Sequence, residues 1–276
     1  MNTHIKDFAK KGFVVREYTK DIQSLINNSV ISWKDFCNLP LEIKQGFPYS
    51  NGADGVGYEI KEGNGFRADR KENFDMTILG SELIQNSVGV VNNPTVDTFF
   101  RDITKLINAI KPIVVDFAKQ IEAEYGLPHF AQEIDESSDR FFIRFLHYFG
   151  DRETGEEIAL PHVDQSGFTL HLFESAKGLQ CLNYDGMWTD VPVGPNQTVI
   201  IPAMQMQLRS QGKIQALCHR VVASADTTVK GRYSAVCFVQ FKNTLRYDKA
   251  KFGRLQEKEP GFNYGLSSNE FSKLFR

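Results

Sequence analysis

The chain has 276 residues, of which 41% are hydrophobic and 24% are charged, and its formal net charge is −2. This length can bury a substantial core without disulfides, and the balanced charge removes any electrostatic reason to expect a nucleic acid or an anionic membrane as partner. No apolar run approaches the roughly 20 residues that cross a bilayer, and the amino terminus lacks the apolar core of a signal peptide, so we expect one cytoplasmic, monomeric domain.

The four cysteines lie at positions 37, 181, 218 and 237. Their spacing matches neither a metal-binding nor a redox motif, and most of them fall in apolar segments. We therefore expect reduced thiols in the core.

The first 135 residues are predicted to be a mainly helical region. A short strand is expected at 13–15, a helix around 22–26, and a second helix near 33–36 that ends before Pro40, because a residue preceding proline is biased away from the helical conformation. Residues 47–76 are rich in glycine and carry Arg67. Long surface loops often bind ligands, so this segment is a candidate substrate lid, with a solvated connection as the equal alternative.

The clearest helix starts at Asn93, which can cap it, with Pro94 at the first helical position. Apolar residues then recur at helical spacing until Gly126, and Pro112 should introduce a kink. This apolar stripe predicts a helix that packs against the outside of a sheet.

Strands dominate from residue 136 to 245. They are predicted at 141–149, 170–173, 179–184, 199–201, 205–208, 220–223 and 233–241. Several are apolar on both faces, which indicates a mainly β fold with flanking helices, in the form of a double-stranded β-helix (jelly roll) barrel. The tail, residues 246–276, is amphipathic enough at 269–276 for a last helix that closes the barrel mouth.

His162 and Asp164 lie two positions apart, so a strand through them would place both side chains on one face. His219 would join them from a distant strand. Two imidazoles and one carboxylate occupy one side of an octahedron and leave three positions open for exchangeable ligands. Structural zinc sites are normally closed by four ligands rich in cysteine, and no Cys-x-x-Cys pair occurs here. These residues indicate an iron site, with His171 as the nearest competing histidine.

Three features follow one another along the chain: His-x-Asp at 162–164, a distal Cys-His-Arg at 218–220, and Arg-x-Ser at 232–234. In order and spacing they resemble the isopenicillin N synthase-like family of iron(II) and 2-oxoglutarate-dependent oxygenases, and the resemblance covers nearly the whole chain. It implies that His162, Asp164 and His219 are the iron ligands.

The same resemblance implies that Arg232 and Ser234 hold the distal carboxylate of 2-oxoglutarate and that Tyr148 hydrogen-bonds this cosubstrate. Independently, a guanidinium matches a carboxylate through two parallel hydrogen bonds, and a strand would place Ser234 on the same face. A surface salt bridge is the alternative for Arg232. The chain departs from the family pattern at Phe149, where a proline is common, and at 203–204, where Ala-Met replaces a Gly-Asp turn.

The implied reaction uses dioxygen and 2-oxoglutarate to hydroxylate, desaturate or cyclise a small molecule. One alternative is an oxidase of the isopenicillin N synthase type, which needs no 2-oxoglutarate and also retains Arg-x-Ser. Another is a jelly-roll binding protein without catalytic activity.

Arg144 is predicted to bind a carboxylate of the primary substrate, plausibly an amino acid or a derivative. Strand alternation would put it on the same face as Tyr148, and a guanidinium inside a barrel needs an anionic partner. Arg67 could close over the substrate. The alternative is an ion pair with Glu133 or Asp139. The strands at 220–223 and 233–241 are expected to pair antiparallel, so that His219 lies opposite an even-numbered residue such as Val236.

Overall fold

The computed structural model describes residues 5–49, 56–61, 69–85, 92–183, 185–191, 193–194 and 196–241. The helices are α1 Asp7–Lys11, α2 Lys20–Cys37, α3 Leu41–Gln45, α4 Ile78–Gln85, α5 Pro94–Tyr125, α6 Phe130–Glu136, α7 Met204–Arg209 and α8 Ala225–Lys230, with a 3-10 turn at Ser138–Arg140. The strands are β1 Val14–Glu17, β2 Gly57–Lys61, β3 Lys71–Thr77, β4 Phe142–Tyr148, β5 Glu157–His162, β6 Phe168–Glu174, β7 Leu179–Leu182, β8 Trp188–Asp190, β9 Gln197–Pro202, β10 His219–Val222 and β11 Arg232–Val239.

The strands form two antiparallel sheets. The large sheet has the order β1-β9-β6-β11-β4-β3-β2, and the small sheet has the order β5-β10-β7-β8. An apolar cluster with members from both sheets, including Leu146, Val199, Leu179 and Val221, fills the space between them. The prediction of a mainly β double-stranded β-helix fold with flanking helices is confirmed.

A second, larger apolar core lies between the large sheet and the helices. Trp33 is fully buried there, and its indole nitrogen donates to the carbonyl of Leu146 at 3.3 Å. Phe36 and Phe99 pack on it with ring centroids 5.7 and 5.4 Å away. Helix α5 runs across this core as expected, since the side chain of Asn93 caps its start and the left-handed Gly126 ends it.

Two local predictions are wrong in detail. The helices expected at 22–26 and 33–36 are one continuous helix, α2, because the residues between them include neither glycine nor proline. Residues 205–208 lie in helix α7, where alternating Gln and Met mimic a strand pattern although all four side chains are buried.

The glycine-rich segment 47–76 is not one long loop. It contains β2 and β3, and β3 pairs along its whole length with β4. The sequence pattern did not predict β3, because the inward face of this strand carries Lys71, Asn73 and Asp75 instead of apolar residues. Arg67 and the tail helix expected at 269–276 lie outside the described residues.

The expected pairing of β10 with β11 is wrong, because β10 pairs with β5 and β7 whereas β11 pairs with β4 and β6. Helix α8 separates the two strands in the chain, which passes there from the small sheet to the large one. Three of the four cysteines are buried, and none of the four takes part in a disulfide bond. Among the described residues, no helix combines the length and apolar character that a bilayer crossing requires.

Candidate metal centre and cosubstrate pocket

The three predicted metal ligands meet at one end of the small sheet. His162 ends β5, His219 begins β10, and the two residues are directly paired across the strands. Asp164 follows two positions after His162, with one carboxylate oxygen 3.5 Å from Nε2 of His162 and the other 3.8 Å from Nε2 of His219. One donor atom from each residue lies within 4.8 Å of the other two, so the set can share a single ion.

Backbone and side-chain contacts orient these ligands. Nδ1 of His162 lies 2.7 Å from the carbonyl of Leu160, and Nδ1 of His219 lies 3.3 Å from the carbonyl of Leu217. Because a carbonyl only accepts, each Nδ1 carries the proton and each Nε2 keeps its lone pair for a metal. The hydroxyl of Thr169 donates to Asp164 at 2.6 Å and fixes the carboxylate from the large sheet.

The electrostatics keep Asp164 and His219 in metal-binding protonation states, whereas Asp164 outweighs the effect of burial and raises the pKa of His162. Burial alone would raise the pKa of Asp164, but His219, His162 and the Thr169 hydroxyl hold it well below its usual range. Burial and the neighbouring His162 lower the pKa of His219 to about 3, so its imidazole is neutral at physiological pH. A divalent ion binds a carboxylate and neutral imidazoles, so iron(II) would displace the proton that Asp164 favours on His162; the donor set of two imidazoles and one carboxylate fits iron(II).

A second group of possible ligands, Cys37, Glu72 and His147, lies on the helical side of the large sheet. Here the ammonium of Lys44 is 2.8 Å from Glu72, which also accepts from Tyr58 at 2.7 Å and from His147 at 2.9 Å. A buried cation thus already neutralises this carboxylate. We interpret the group as a structural link between α3, β2 and β4.

Arg232 and Ser234 face the same interior as His219. Arg232 pairs with Tyr148 and Ser234 with Leu146, while His219 pairs with Cys181, and all three partners belong to the apolar cluster between the sheets. Directly opposed residues in antiparallel strands share a face, so the register places both β11 side chains inward. The pairing predicted between β10 and β11 was wrong, but the common interior that it was meant to explain is present.

Arg232 is 1% exposed and is not a surface residue. Its Nε donates to the carbonyl of Ala176 at 3.2 Å, and its Nη2 lies 3.0 Å from Oε1 of Glu174. The second distance is that of an ion pair, yet no described residue gives either atom a partner in hydrogen-bonding geometry. A buried guanidinium nitrogen that still lacks an acceptor fits the distal carboxylate of 2-oxoglutarate.

Glu174 is a pocket residue that the sequence reasoning missed. It ends β6, is buried, and lies 3.4 Å from Nδ1 of His171, whose ring is 5.9 Å from that of His219. Burial alone would raise the pKa of Glu174, but Arg232 and His171 outweigh it and lower the pKa. In a sequence, a glutamate at a strand end usually indicates a solvated side chain. Glu174 is recognised only from the structure, where its partner on the neighbouring strand, Ser234, is two residues from Arg232.

Arg144 does not present the free cation that was expected. Its Nε and Nη2 donate to the two carboxylate oxygens of Asp75 at 2.7 and 2.6 Å, and the guanidinium lies against the stacked rings of Phe142 and Phe238. Burial alone would lower the pKa of Arg144, but Asp75 raises it overall. The alternative interpretation, an ion pair within the protein, describes this residue, although its partner is neither Glu133 nor Asp139.

Two further inward residues on β3 were also missed. Lys71 is buried opposite Tyr148, with its ammonium 2.8 Å from Asp69 and 5.4 Å from the Tyr148 ring centroid. Asn73 is 1% exposed, and its Oδ1 has no hydrogen-bond partner within the described part of the chain.

Comparison with known proteins gives a consistent result. The family model of the 2OG-Fe(II) oxygenase superfamily matches residues 137–241. A 2-oxoglutarate-dependent dioxygenase of Didymella fabae is 26% identical over 243 residues, which cover 79% of this chain and 72% of that protein. An Arabidopsis thaliana 1-aminocyclopropane-1-carboxylate oxidase homolog is 34% identical over 118 residues, but the match covers only 42% of this chain and 29% of that protein.

Solved structures share the fold. A 2OG-Fe(II) oxygenase family protein from Caulobacter crescentus has a TM-score of 0.70 at 24% identity, covering 86% of this chain and 79% of its own. The dioxygenase for auxin oxidation in rice has a TM-score of 0.68 at 18% identity, covering 91% of this chain and 87% of its own. With the site geometry, these findings show that the chain shares the fold of these solved structures and that its residues 137–241 are similar to the 2OG-Fe(II) oxygenase superfamily.

Proposed function

We propose that this protein is a dioxygenase that oxidises a small molecule, with His162, Asp164 and His219 as the protein ligands of iron(II). The observation that carries the proposal is the convergence of one donor atom from each residue within 4.8 Å. Iron(II) bound there would supply the activation of dioxygen, coupled to the oxidative decarboxylation of 2-oxoglutarate.

The chain's own residues position the reactants. Arg232 and Ser234 hold the distal carboxylate of 2-oxoglutarate, and Tyr148, paired directly with Arg232, hydrogen-bonds the same molecule. The interior beside them is lined by buried apolar side chains such as Leu146 and Val236, which exclude water from the reacting atoms. The protein thereby determines which carbon of the substrate is oxidised.

The primary substrate in this proposal carries an anionic group. Two donors of Arg144 are already engaged by the two oxygens of Asp75, whereas the Lys71 ammonium has one carboxylate contact, with Asp69, so we assign the anionic group of the substrate to Lys71. The Oδ1 of Asn73 would accept from a hydrogen-bond donor of the same substrate. Hydroxylation is the expected outcome, with desaturation or ring closure as alternatives. Arg67 keeps its proposed role over the substrate, from a segment outside the described residues.

We retain two broader proposals. Residues 1–276 form a single oxygenase domain with its jelly-roll core at 136–245, and the protein acts as a cytoplasmic monomer. The oligomeric state can be measured by light scattering during size-exclusion chromatography.

The test is an anaerobic titration of the iron(II)-loaded protein with 2-oxoglutarate, followed by visible absorption. Chelation of the 2-oxo acid group gives a charge-transfer band, which we expect to saturate at one equivalent per chain. An Arg232→Met variant should require much more 2-oxoglutarate for the same band. If iron(II) binds but no band develops at any concentration, the oxidase of the isopenicillin N synthase type replaces this proposal. If iron(II) does not bind, a non-catalytic binding protein replaces it.

A further inference from the structure

The anion-binding guanidinium of the cosubstrate pocket faces a carboxylate of the protein itself. Arg232 and Glu174 have side chains that are 2% and 8% exposed, and their nearest charged atoms are 3.0 Å apart. Three buried polar atoms of this pocket lack hydrogen-bond partners among the residues that the structure describes: Nη2 of Arg232, Oε1 of Glu174 and Nε2 of His171. An ion pair whose two facing atoms lack hydrogen-bonding geometry is incompletely formed, so Nη2 of Arg232 can still donate to a further acceptor.

We propose that Glu174 is a specificity-determining residue, whose carboxylate competes with the distal carboxylate of 2-oxoglutarate for Arg232. The inference rests on the proposed function, because it concerns the same pocket. We expect this pocket to bind 2-oxoglutarate less tightly than the same pocket with a neutral side chain at position 174. We also expect a weak preference for 2-oxoglutarate over 2-oxo acids that lack the second carboxylate.

The physical reason is the charge balance of a buried site. When 2-oxoglutarate binds, two carboxylates share one guanidinium, and their mutual repulsion is poorly screened because water is excluded. A guanidinium gains most from a carboxylate that it contacts through two parallel hydrogen bonds, and Nε of Arg232 already donates to Ala176. Only the remaining guanidinium nitrogens of Arg232 are therefore available to the two carboxylates.

His171 offers Glu174 a second partner. Its Nδ1 lies 3.4 Å from the same oxygen that faces Arg232, so Glu174 can pair with His171 after the guanidinium turns to the cosubstrate. The competition is thus an exchange of partners and does not require Glu174 to leave the interior.

The chain supplies a matched control pair. Glu133 of α6 and Arg209 of α7 also form an ion pair between a carboxylate and a guanidinium, at 2.8 Å in hydrogen-bonding geometry. Both of these side chains are more than 20% exposed. Glu133→Gln removes the same charge from a similar ion pair outside the pocket.

The experiment is equilibrium binding to the iron(II)-loaded protein under anaerobic conditions, measured by calorimetry. The ligands are 2-oxoglutarate and 2-oxopentanoate, which has the same chain length but no distal carboxylate. For Glu174→Gln we expect 2-oxoglutarate to bind at least 10-fold more tightly and 2-oxopentanoate to change by less than threefold. Glu133→Gln should match the wild type with both ligands. Glu174→Leu is measured in parallel and should also bind 2-oxoglutarate more tightly, so the test does not depend on one variant folding.

Unchanged or weaker binding of 2-oxoglutarate by both folded Glu174 variants overturns the inference while leaving the proposed function intact. In that case Glu174 orients Arg232 and does not compete with the cosubstrate. Equal tightening of both 2-oxo acids also overturns it, because the effect would not depend on the distal carboxylate. If neither the wild type nor any variant binds either 2-oxo acid, the proposed function fails together with the inference.

Discussion

Asp164 joins the two sheets at the candidate metal centre. It accepts a hydrogen bond from Thr169 on β6 of the large sheet and lies against His162 and His219 of the small sheet. Its carboxylate is 8% exposed and remains ionised because the surrounding donors lower its pKa. A carboxylate held in this way is available to a metal without a change in its protonation state.

We predict that Asp164→Ala abolishes retention of iron(II). The two imidazoles that remain supply too few protein ligands, and the only charged ligand is lost. His171→Ala should keep iron, because His171 contacts Glu174 and is not one of the three clustered donors. The measurement is metal content per chain after anaerobic loading and gel filtration. Iron retained by Asp164→Ala but lost from His171→Ala would contradict the ligand assignment.

We predict that Arg144→Met destabilises the protein by about 3–5 kcal/mol, because it leaves the carboxylate of Asp75, which is 1% exposed, buried without its partner. The double variant Arg144→Met with Asp75→Leu should recover most of the lost free energy of unfolding, since both charges are then absent. Urea denaturation of the wild type, both single variants and the double variant gives the coupling energy. Additive losses would show that the observed pair is not energetically coupled.

At the scale of elements, the sequence predicted the helices and strands whose apolar residues recur at a single helical or alternating spacing. It missed the strand whose inward face is polar. Helix α5 was predicted because its cap, its stripe and its terminal glycine agree. Strand β3 was missed because five of its seven buried residues are charged or polar. The pairing of β10 could not be read from its sequence, because neighbouring apolar strands are interchangeable until the sheets are assembled.

The same limit applied to the site. The three candidate ligands and Arg232 were found because their spacing forms a motif. Glu174 and Lys71 were missed because nothing in their immediate sequence distinguishes them from surface charges. Their burial depends on contacts with Arg232 and with Tyr148, which are distant in the chain. The burial of these two residues therefore follows from contacts between distant parts of the chain, which a short sequence motif does not contain.

Glu72 of β3 stabilises the junction with α3, β2 and β4 in a pH-dependent manner. Burial alone would raise its pKa, but donors from three other elements outweigh it and lower the pKa to about 2. The folded-state pKa thus lies below the unfolded value of about 4.3. A depressed carboxyl pKa contributes stability that is fully present above the unfolded pKa and is lost as the pH falls through the folded pKa.

We predict that Glu72→Gln lowers the free energy of unfolding by about 3–5 kcal/mol at pH 7, because it leaves Lys44 buried without its carboxylate. The difference from the wild type should shrink between about pH 5 and pH 2, where the wild-type carboxylate itself becomes protonated. Urea denaturation at several pH values measures both effects. A difference that is independent of pH would rule out the charged interaction as its source.

We predict that Asn93→Ala lowers the free energy of unfolding by about 1 kcal/mol, because the side chain of Asn93 accepts from the first-turn amides of Thr95 and Val96. Asn93→Asp is the matched control and should lose little, since aspartate caps a helix as well as asparagine does. Thermal or urea denaturation compares the three proteins. Equal losses for both variants would show that the cap contributes nothing specific.

At the scale of the whole molecule, two layers are held together by an apolar core and by the candidate metal centre at one end of it. His162 and His219 belong to the small sheet, and the carboxylate between them is anchored to the large sheet through Thr169. An ion bound by these residues would bridge the layers. Because the unfolded chain does not bring the three ligands together, binding should stabilise only the folded state.

We predict that Mn(II), used as an air-stable substitute for iron(II), raises the free energy of unfolding of chelator-treated protein by about 2.7 kcal/mol at a concentration 100 times its dissociation constant. Asp164→Ala should show no such gain. Cys37→Ala should show the full gain, because the second ligand cluster already contains the ammonium of Lys44 and is not expected to bind a metal. Urea denaturation with and without Mn(II) separates the two sites. A gain that survives in Asp164→Ala but disappears in Cys37→Ala would place the stabilising ion on the helical side of the large sheet and remove the metal from the interior between the sheets.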